Sequence, residues 1–341
     1  MSDRSKPTPA LTIIEIARLA GVSKSTVSRV MLGSPLVNAE TRRRVEETVA
    51  KYDYTPNVNA GQMRSKRTNV VSVIVPLYHD ADQSISDPFF MRMLTALSEV
   101  LTARNCDLLL SCMSETARRQ IDHAVRAKRA DGIIVIGQSN IHEAICAVAR
   151  RAVPIVAWGQ AVPDQPYATV SSDNRTGARK AVSHLLGLGR RRIVVLGNID
   201  LPETRPRLLG YRDALGEAGV ASDPALFVPS SFNRSSASAA VTAFLAGGTS
   251  FDGVFALSDE MGRGAVDALA RAGMAVPDDV AVVGFDDIAS STADLPLTTV
   301  RQDIPAAAAA LVELLMEQID GAPSRDVLLP TVLVRRQSTG F

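Results

Sequence analysis

From Asn69 onward the chain alternates short, almost wholly apolar runs with stretches of helical period, and few folds accommodate that grammar. The runs VVSVIVP (70–76), CDLLLSC (106–112), DGIIVIG (131–137) and VPIVAWG (153–159) are near-continuous Val, Ile and Leu rather than alternating apolar and polar residues. A strand with one solvated face alternates, whereas a strand covered on both faces does not, so these runs predict a parallel sheet with helices on either side. Residues 89–104, 117–127 and 141–151 supply the intervening helices. YATVSSDN opens a second series with RIVVLG (192–197), LFVP (226–229), FDGVFALS (251–258) and DVAVVGFDD (279–287), followed by a last helix over 306–320 and the strand-like VLLPTVLVRR. The internal echo between DNRTGARKAVSHLLGLG and DEMGRGAVDALARAG supports two similar lobes. A chain of 341 residues that is 46% hydrophobic is long enough to bury both. Ligand clefts in such sheets form outside the carboxyl ends of the strands.

The first 67 residues follow other rules. Thr12 and Glu15 have the spacing of a capping box, and Ile16, Ala17 and Ala20 share one face of the helix that it starts. Gly21 stands where a tight turn needs a residue without Cβ strain. Ser23 caps a second helix whose inner face is Val27 and Val30, while Lys24, Ser25, Ser28 and Arg29 project outward, with Thr26 in its first turn. This is a helix-turn-helix pattern, although two short amphipathic helices around a Gly also describe a solvated αα-hairpin. Asn38 caps a third helix with Val45, Val49 and Tyr52 directed at the core and Arg42, Arg43 and Arg44 outside. Residues 1–67 carry 12 Lys and Arg against 6 Asp and Glu, net +6, and residues 68–341 carry 25 against 30, net −5. A basic end on a mildly acidic body suits attraction to phosphates and favours DNA binding over the plain hairpin.

Between these parts lies VNAGQMRSKRT, which Asn57 can cap. Gly61 inside it costs roughly 1 kcal/mol relative to Ala, so the helix is marginal unless something packs on it. The three cysteines, Cys106, Cys112 and Cys146, and the four histidines form no metal-ligand spacing, and the thiols read as buried and reduced. No metal or other cofactor is expected. With no apolar leader and no apolar run long enough to span a bilayer, the expected location is cytoplasmic, at the nucleoid.

The motifs IARLAGVSKSTVSRV, ETRRRVEETVAKYDYTPN, DPFF, SSDNRTGARKAVSHLLGLGRRRI, RLLGY, SDEMGRGA and VVGFDDIASSTADLPLTTVRQD, in that order, resemble the lac repressor family of bacterial transcription regulators over about residues 12–336. The resemblance implies an all-α helix-turn-helix head over 1–56, a hinge helix over 57–68, and a periplasmic-binding-protein-like core over 69–341. Its first lobe is expected at about 69–168 with 299–324, and its second at about 169–298 with 325–341. It further implies a homodimer on double-stranded operator DNA, with a small-molecule effector, most simply a carbohydrate, between the lobes. By position, Lys24, Ser25 and Arg29 fall on base-reading sites, within a DNA-binding set of Ser23, Lys24, Ser25, Thr26, Ser28, Arg29, Asn57 and Met63. Met63 stands where the family has an intercalating Leu. Arg207 and Asp286 match ligand-binding positions, and Ser258 replaces a usual Asn. Trp158 and Phe89 are placed to line the mouth, and Gly159 replaces a polar residue of some relatives. A chain ending at Phe341 without a heptad tail suggests a dimer rather than a tetramer.

Two other functions have to be weighed. An α/β enzyme with a basic appendage is opposed by the absence of G-x-G-x-x-G, G-x-x-x-x-G-K-[ST] and G-x-S-x-G, and by acid pairs (278–279, 286–287) without a His or Lys beside them in the sequence. A transport-type solute receptor has the right lobes but no use for the head.

Overall fold

The structure is a computed structural model and describes residues 11–31, 33–54, 67–77, 84–113, 121–138, 141–288 and 295–340. The chain divides into two compact units, Met1–Thr68 and Asn69–Phe341.

The head holds α1 (Ile13–Leu19), α2 (Lys24–Met31) and α3 (Ala39–Lys51). The capping box forms as the spacing predicts: Thr12 N–H donates to Glu15 Oε2 at 2.7 Å, and Thr12 Oγ1 accepts from Glu15 N–H. Ser23 Oγ accepts from Thr26 N–H at 3.1 Å, Asn38 Oδ1 accepts from Thr41 N–H at 2.8 Å, and Gly21 has φ +63°. Ile16, Ala17, Ala20, Val27, Val30 and Val45 close the core, with Val49 and Tyr54 packed against it. Tyr52, expected inside, is 40% exposed, because the helix ends at Lys51 and the chain turns through Asp53 at φ 46° before Tyr54 swings in. Arg42, expected to be an outward charge, donates to the Ser34 carbonyl at 2.6 Å and ties α3 to the preceding loop.

The second unit contains two six-stranded sheets. The first runs β11-β5-β4-β3-β1-β2, with β1 Val70–Pro76, β2 Asp107–Met113, β3 Gly132–Ile136, β4 Ile155–Trp158, β5 Ala168–Ser172 and β11 Val327–Leu329. The second runs β12-β10-β9-β8-β6-β7, with β6 Ile193–Leu196, β7 Phe227–Val228, β8 Gly253–Ala256, β9 Ala281–Asp286, β10 Thr298–Gln302 and β12 Thr331–Val334. Both repeat the doubly wound order 2-1-3-4-5 plus one late strand, and only the β10–β12 pair is antiparallel among the described pairs. Burial on both faces is direct in the first sheet: Val71, Val73 and Val75 belong to one core and Ile74 to the other, as do Ile134 and Ile133.

The lobe boundaries differ from those expected. Ala168–Ser172 completes the first sheet rather than opening the second, and β10 belongs to the second lobe although the helix that follows it, Ile304–Ile319, packs on the first. VLLPTVLVRR splits at Pro330: β11 joins the first sheet and β12 the second. A proline lacks the N–H that a continuous ladder needs, so the strand breaks there. The chain thus crosses between lobes three times, near residues 173, 303 and 330. Two crossings are bonded together, Asp173 N–H donating to Leu329 O at 2.8 Å and Thr331 Oγ1 to Asp173 O at 3.2 Å. Asp173 and Asp303 each cap the helix that follows.

Two helix pairs of the second lobe are built alike. The helix Arg205–Glu217 lies so close to Asn174–Gly187 that a Cβ on Gly210 would collide with the Arg175 carbonyl oxygen and come within 2.9 Å of Ala178 Cβ. The helix Asp259–Arg271 repeats this with Gly264 against Arg234 O in the helix Arg234–Ala246. Three residues on from each Gly an aspartate receives a two-point guanidinium bond: Arg175 to Asp213 at 2.6 and 2.9 Å, and Arg234 to Asp267 at 2.6 and 2.9 Å. Because the obstruction is backbone and cannot rotate away, Gly210→Ala is expected to destabilise the core by about 3 kcal/mol despite its helix-favouring methyl. Urea unfolding measures this; a loss below about 0.5 kcal/mol would show that the pair can slide apart at little cost.

Candidate functional site

The carboxyl ends of strands from both sheets converge on a cavity of about 670 Å³, within the range of small-molecule sites. Trp158 ends β4, Ser172 ends β5, Asp286 ends β9 and Gln302 ends β10, and all four line it. Ser258, from the turn after β8, and Arg207, from the helix Arg205–Glu217, complete the second lobe's side. The five residues expected here, Phe89, Trp158, Arg207, Ser258 and Asp286, all border the cavity.

The local chemistry of each is set by its element. Asp87 caps the helix Pro88–Thr102, accepting from Phe89 N–H at 2.8 Å, and this aims Phe89 at Trp158, with ring centroids 6.4 Å apart. Arg207 is 5% exposed; its Nε donates to Asn174 Oδ1 at 2.8 Å, one Nη donates to the Leu257 carbonyl, and its Cζ lies 3.7 Å from the Phe285 ring centroid. Two of its five donors are therefore spent on fixing the guanidinium in place. Ser258 Oγ accepts from Met261 N–H at 3.2 Å as the cap of the helix Asp259–Arg271, which leaves its proton as the group available to a ligand. Asp286 accepts from Gln302 Nε2 at 2.6 Å. Gly159 is explained by its neighbour: a Cβ there would come within 2.5 Å of Gln138 Oε1, and the buried Gln138 is held by Tyr167 Oη and Gln160 N–H, each at 2.7 Å.

Residues beyond the sequence expectation also line the cavity: Asp87, Ser172, Asn174, Glu203, Asp259 and Gln302. The strand-end rule could have located Ser172 at the end of ATVSS, whereas Gln302 ends TTVRQ, which is too polar to stand out as a buried strand. Nothing in the local sequence marks Glu203.

The backbone is strained at the second lobe's rim. Asp286 has φ 118° and Asp287 has φ 57°, two consecutive non-glycine residues at positive φ. Asp287 is held by Arg301 at 2.6 Å and Arg336 at 2.5 Å, and although burial pushes its carboxyl upward these bonds keep it below the usual range. Arg92 of the first lobe donates to the Asp287 carbonyl at 2.7 Å, so the strained pair also receives a bond from across the cleft.

The cleft is acid-rich, and burial governs its ionisation. Burial pushes Asp87 up to about 6 and Asp259 up to about 7, and raises Glu203. Asp286 is driven well above its ordinary value by burial, against the attraction of Arg207 and with the repulsion of Asp259. Burial also pulls the Arg207 guanidinium down, against the pull of Asp286, Glu203 and Asp259. A carboxyl whose folded pKa is raised stabilises the fold fully below its unfolded value near 3.8, and that contribution is lost as pH climbs through about 7. Asp259 accepts from Thr299 Oγ1 at 2.5 Å and from Ile288 N–H at 2.7 Å, which an amide can reproduce by donating to the hydroxyl and accepting from the N–H. Asp259→Asn should therefore fold, and should flatten the decline in core stability between pH 4 and pH 8. Equal slopes for both proteins in denaturant unfolding would place the titration elsewhere.

In the head, Ser23, Lys24, Ser25 and Arg29 are exposed and Thr26 and Ser28 are partly so. Ser23 Oγ also meets Ser25 Oγ and Thr26 Oγ1, each at 2.8 Å, so these hydroxyls form one cluster at the start of α2. Asn57 and Met63 lie outside the described residues, as does the expected hinge helix apart from its last two positions. Of the cysteines, Cys146 is buried, Cys106 is partly so and Cys112 is exposed rather than buried; none of the three is in a disulfide. No group of metal-ligating side chains occurs, and no helix is long and apolar enough to cross a membrane, among the described residues.

With this geometry in hand, the chain can be set beside known proteins. The sequence pattern of bacterial regulatory proteins of the lacI family matches residues 12–57, and that of the periplasmic binding protein-like domain matches residues 182–339. The chain is 32% identical to the HTH-type transcriptional regulator CelR of Thermobifida fusca, over 99% of this chain and 100% of that one. It is 32% identical to the HTH-type transcriptional regulator GalR of Escherichia coli strain K12, covering 96% and 95%. Among solved structures it is similar to the CelR-cellobiose complex, with TM-score 0.72, 30% identity and coverage of 96% and 99%. It is also similar to the lac repressor dimer bound to operator and the anti-inducer ONPF, with TM-score 0.84, 26% identity and coverage of 97% and 99%. These relatives are transcriptional regulators rather than enzymes, they are matched over nearly their whole length, and this chain belongs with them to the lacI family of bacterial regulators.

Proposed function

We propose that the protein is a homodimeric transcriptional repressor whose affinity for a near-palindromic operator is switched by a carbohydrate held between the two lobes. The observation that carries this reading is the pairing, in one chain, of a basic three-helix head with a polar, aromatic-bordered cleft built at strand ends. Lys24, Ser25 and Arg29 read bases from α2, Arg29 and Lys24 donating to guanine edges, while Ser23, Thr26 and Ser28 serve phosphate or adaptable contacts. Residues 57–68 join the units and carry Asn57 and Met63 to the minor groove, where an apolar wedge opens a base step. Phe89 and Trp158 offer ring faces to a sugar, and Arg207, Ser258 and Asp286 bond its hydroxyls. Support comes from relatives named as repressors or crystallised with a sugar, such as the repressor CytR of Escherichia coli and the CelR-cellobiose complex.

Selection from random duplex DNA by the full-length protein tests the reading. A twofold-related motif should be enriched, and deletion of residues 1–67 should abolish binding to it. Enrichment without twofold symmetry would remove the dimer, and absence of any motif would remove the regulator. An α/β enzyme remains the weaker reading, since the carboxylates at the cleft face an arginine and amides rather than a proton-relaying His or Lys.

A further inference from the structure

The cleft wall has a marked charge bias. Among its described lining residues are six carboxylates, Asp87, Asp200, Glu203, Asp259, Glu260 and Asp286, and one cation, Arg207. That cation is committed: Asn174 and the Leu257 carbonyl take two of its donors and the Phe285 ring covers one face. Two polar atoms in the wall are left without any bond. Ser172 is 1% exposed and its Oγ has no partner, and Glu203 Oε2 is buried and has none either. Buried polar atoms are ordinarily bonded, so two orphans on one cavity point to a group that arrives with the ligand.

We infer that the effector is a hydroxyl-bearing molecule without negative charge, that Ser172 and Glu203 are contacts to its hydroxyls, and that phosphate- or carboxylate-bearing sugars are excluded. The inference rests on the carbohydrate reading above and narrows it. A phosphoester brings up to two negative charges into an acid-rich wall whose one guanidinium is already bonded to its neighbours; the acids that stay ionised repel it, and those that burial keeps protonated supply no counter-charge. A hydroxyl brings no charge, and it can donate to the free Glu203 oxygen or accept from Ser172 Oγ. The raised carboxyls fit the same picture, since a protonated acid can both donate to and accept from a hydroxyl.

The test is calorimetric binding to the full-length protein of the common aldopentoses, aldohexoses and their disaccharides, each beside its phosphate ester and uronate counterpart. At least one neutral sugar should bind, with its phosphate ester and uronate weaker by about a hundredfold or more. Glu203→Ala should weaken the neutral binder by about tenfold, with partial recovery in Glu203→Gln, while operator affinity without sugar stays unchanged. Unchanged operator affinity also verifies that both variants are folded. A phosphate ester or uronate that binds as tightly as its neutral partner, the absence of any neutral binder, or an unaltered Glu203→Ala would each overturn the inference. A negatively charged ligand that nevertheless releases operator would sink the charge assignment alone and leave the regulator standing, whereas failure to find an operator leaves the binding data intact.

Discussion

Arg207→Ala is expected to abolish the effector response and to cost the core about 3 kcal/mol, because it removes the only cation among the described residues of an acid-rich cleft. The side chain is 5% exposed and its loss has three consequences. Asn174 Oδ1 and the Leu257 carbonyl lose a charged donor, and the face of the Phe285 ring is uncovered. Asp286, Glu203 and Asp259 lose the positive charge that offsets their burial, so their carboxyls rise further and hold protons to higher pH. Arg207→Lys separates charge from geometry: it retains the positive charge, but it has no planar fork to bond Nε and Nη partners and stacks poorly on a ring. The lysine variant should therefore recover most of the stability and little of the response. Chemical denaturation and operator release by effector are the two measurements. A full response in the alanine variant would move the ligand away from this cleft.

Arg29→Ala in both heads of a dimer is expected to weaken specific operator binding by about 2–6 kcal/mol, at about 1–3 kcal/mol per half-site, and to relax preference at one base pair in each half. Arg29 is exposed on α2, one turn beyond the cluster of Ser23, Ser25 and Thr26 hydroxyls, so its replacement leaves the buried Val27 and Val30 in place. The head should stay folded, with unchanged helical circular dichroism. Arg42→Ala makes a useful contrast, since it breaks the bond to Ser34 O and acts through the junction between α2 and α3. Site selection distinguishes the two, because a base reader changes the motif whereas loss of the Arg42 bond weakens all sequences alike. An unchanged motif with Arg29→Ala would remove that residue from the base edges.

How far these features can be read in advance depends on the range of the interaction that creates them. The caps at Thr12, Ser23 and Asn38 each join atoms three residues apart, so the spacing alone predicts them and the structure contains all three. Most strands of the two sheets are legible for a related reason, β10 with its polar TTVRQ being an exception. Burial on two faces leaves an unbroken apolar run, and VVSVIVP and DGIIVIG contain the observed strands within a residue at either end. Tyr52 and Arg42 were misread because both sit where a helix meets a loop, and there the turn of the chain sets direction rather than the helical period.

The sequence by itself determined most of the elements, the two-unit division near residue 68, and the positions of Phe89, Trp158, Arg207, Ser258 and Asp286 through motif order. Only the tertiary structure decided which sheet receives β5, β11 and β12, because strand pairing joins residues such as Val170 and Val327 that are far apart in the chain and equally apolar. It alone also brought Glu203, Asp259 and Asp286 around one guanidinium, with Asp87 on the same cavity. Their raised carboxyls and the unbonded oxygen of Glu203 follow from burial in a shared cavity, which is a property of the assembled walls and of no single segment.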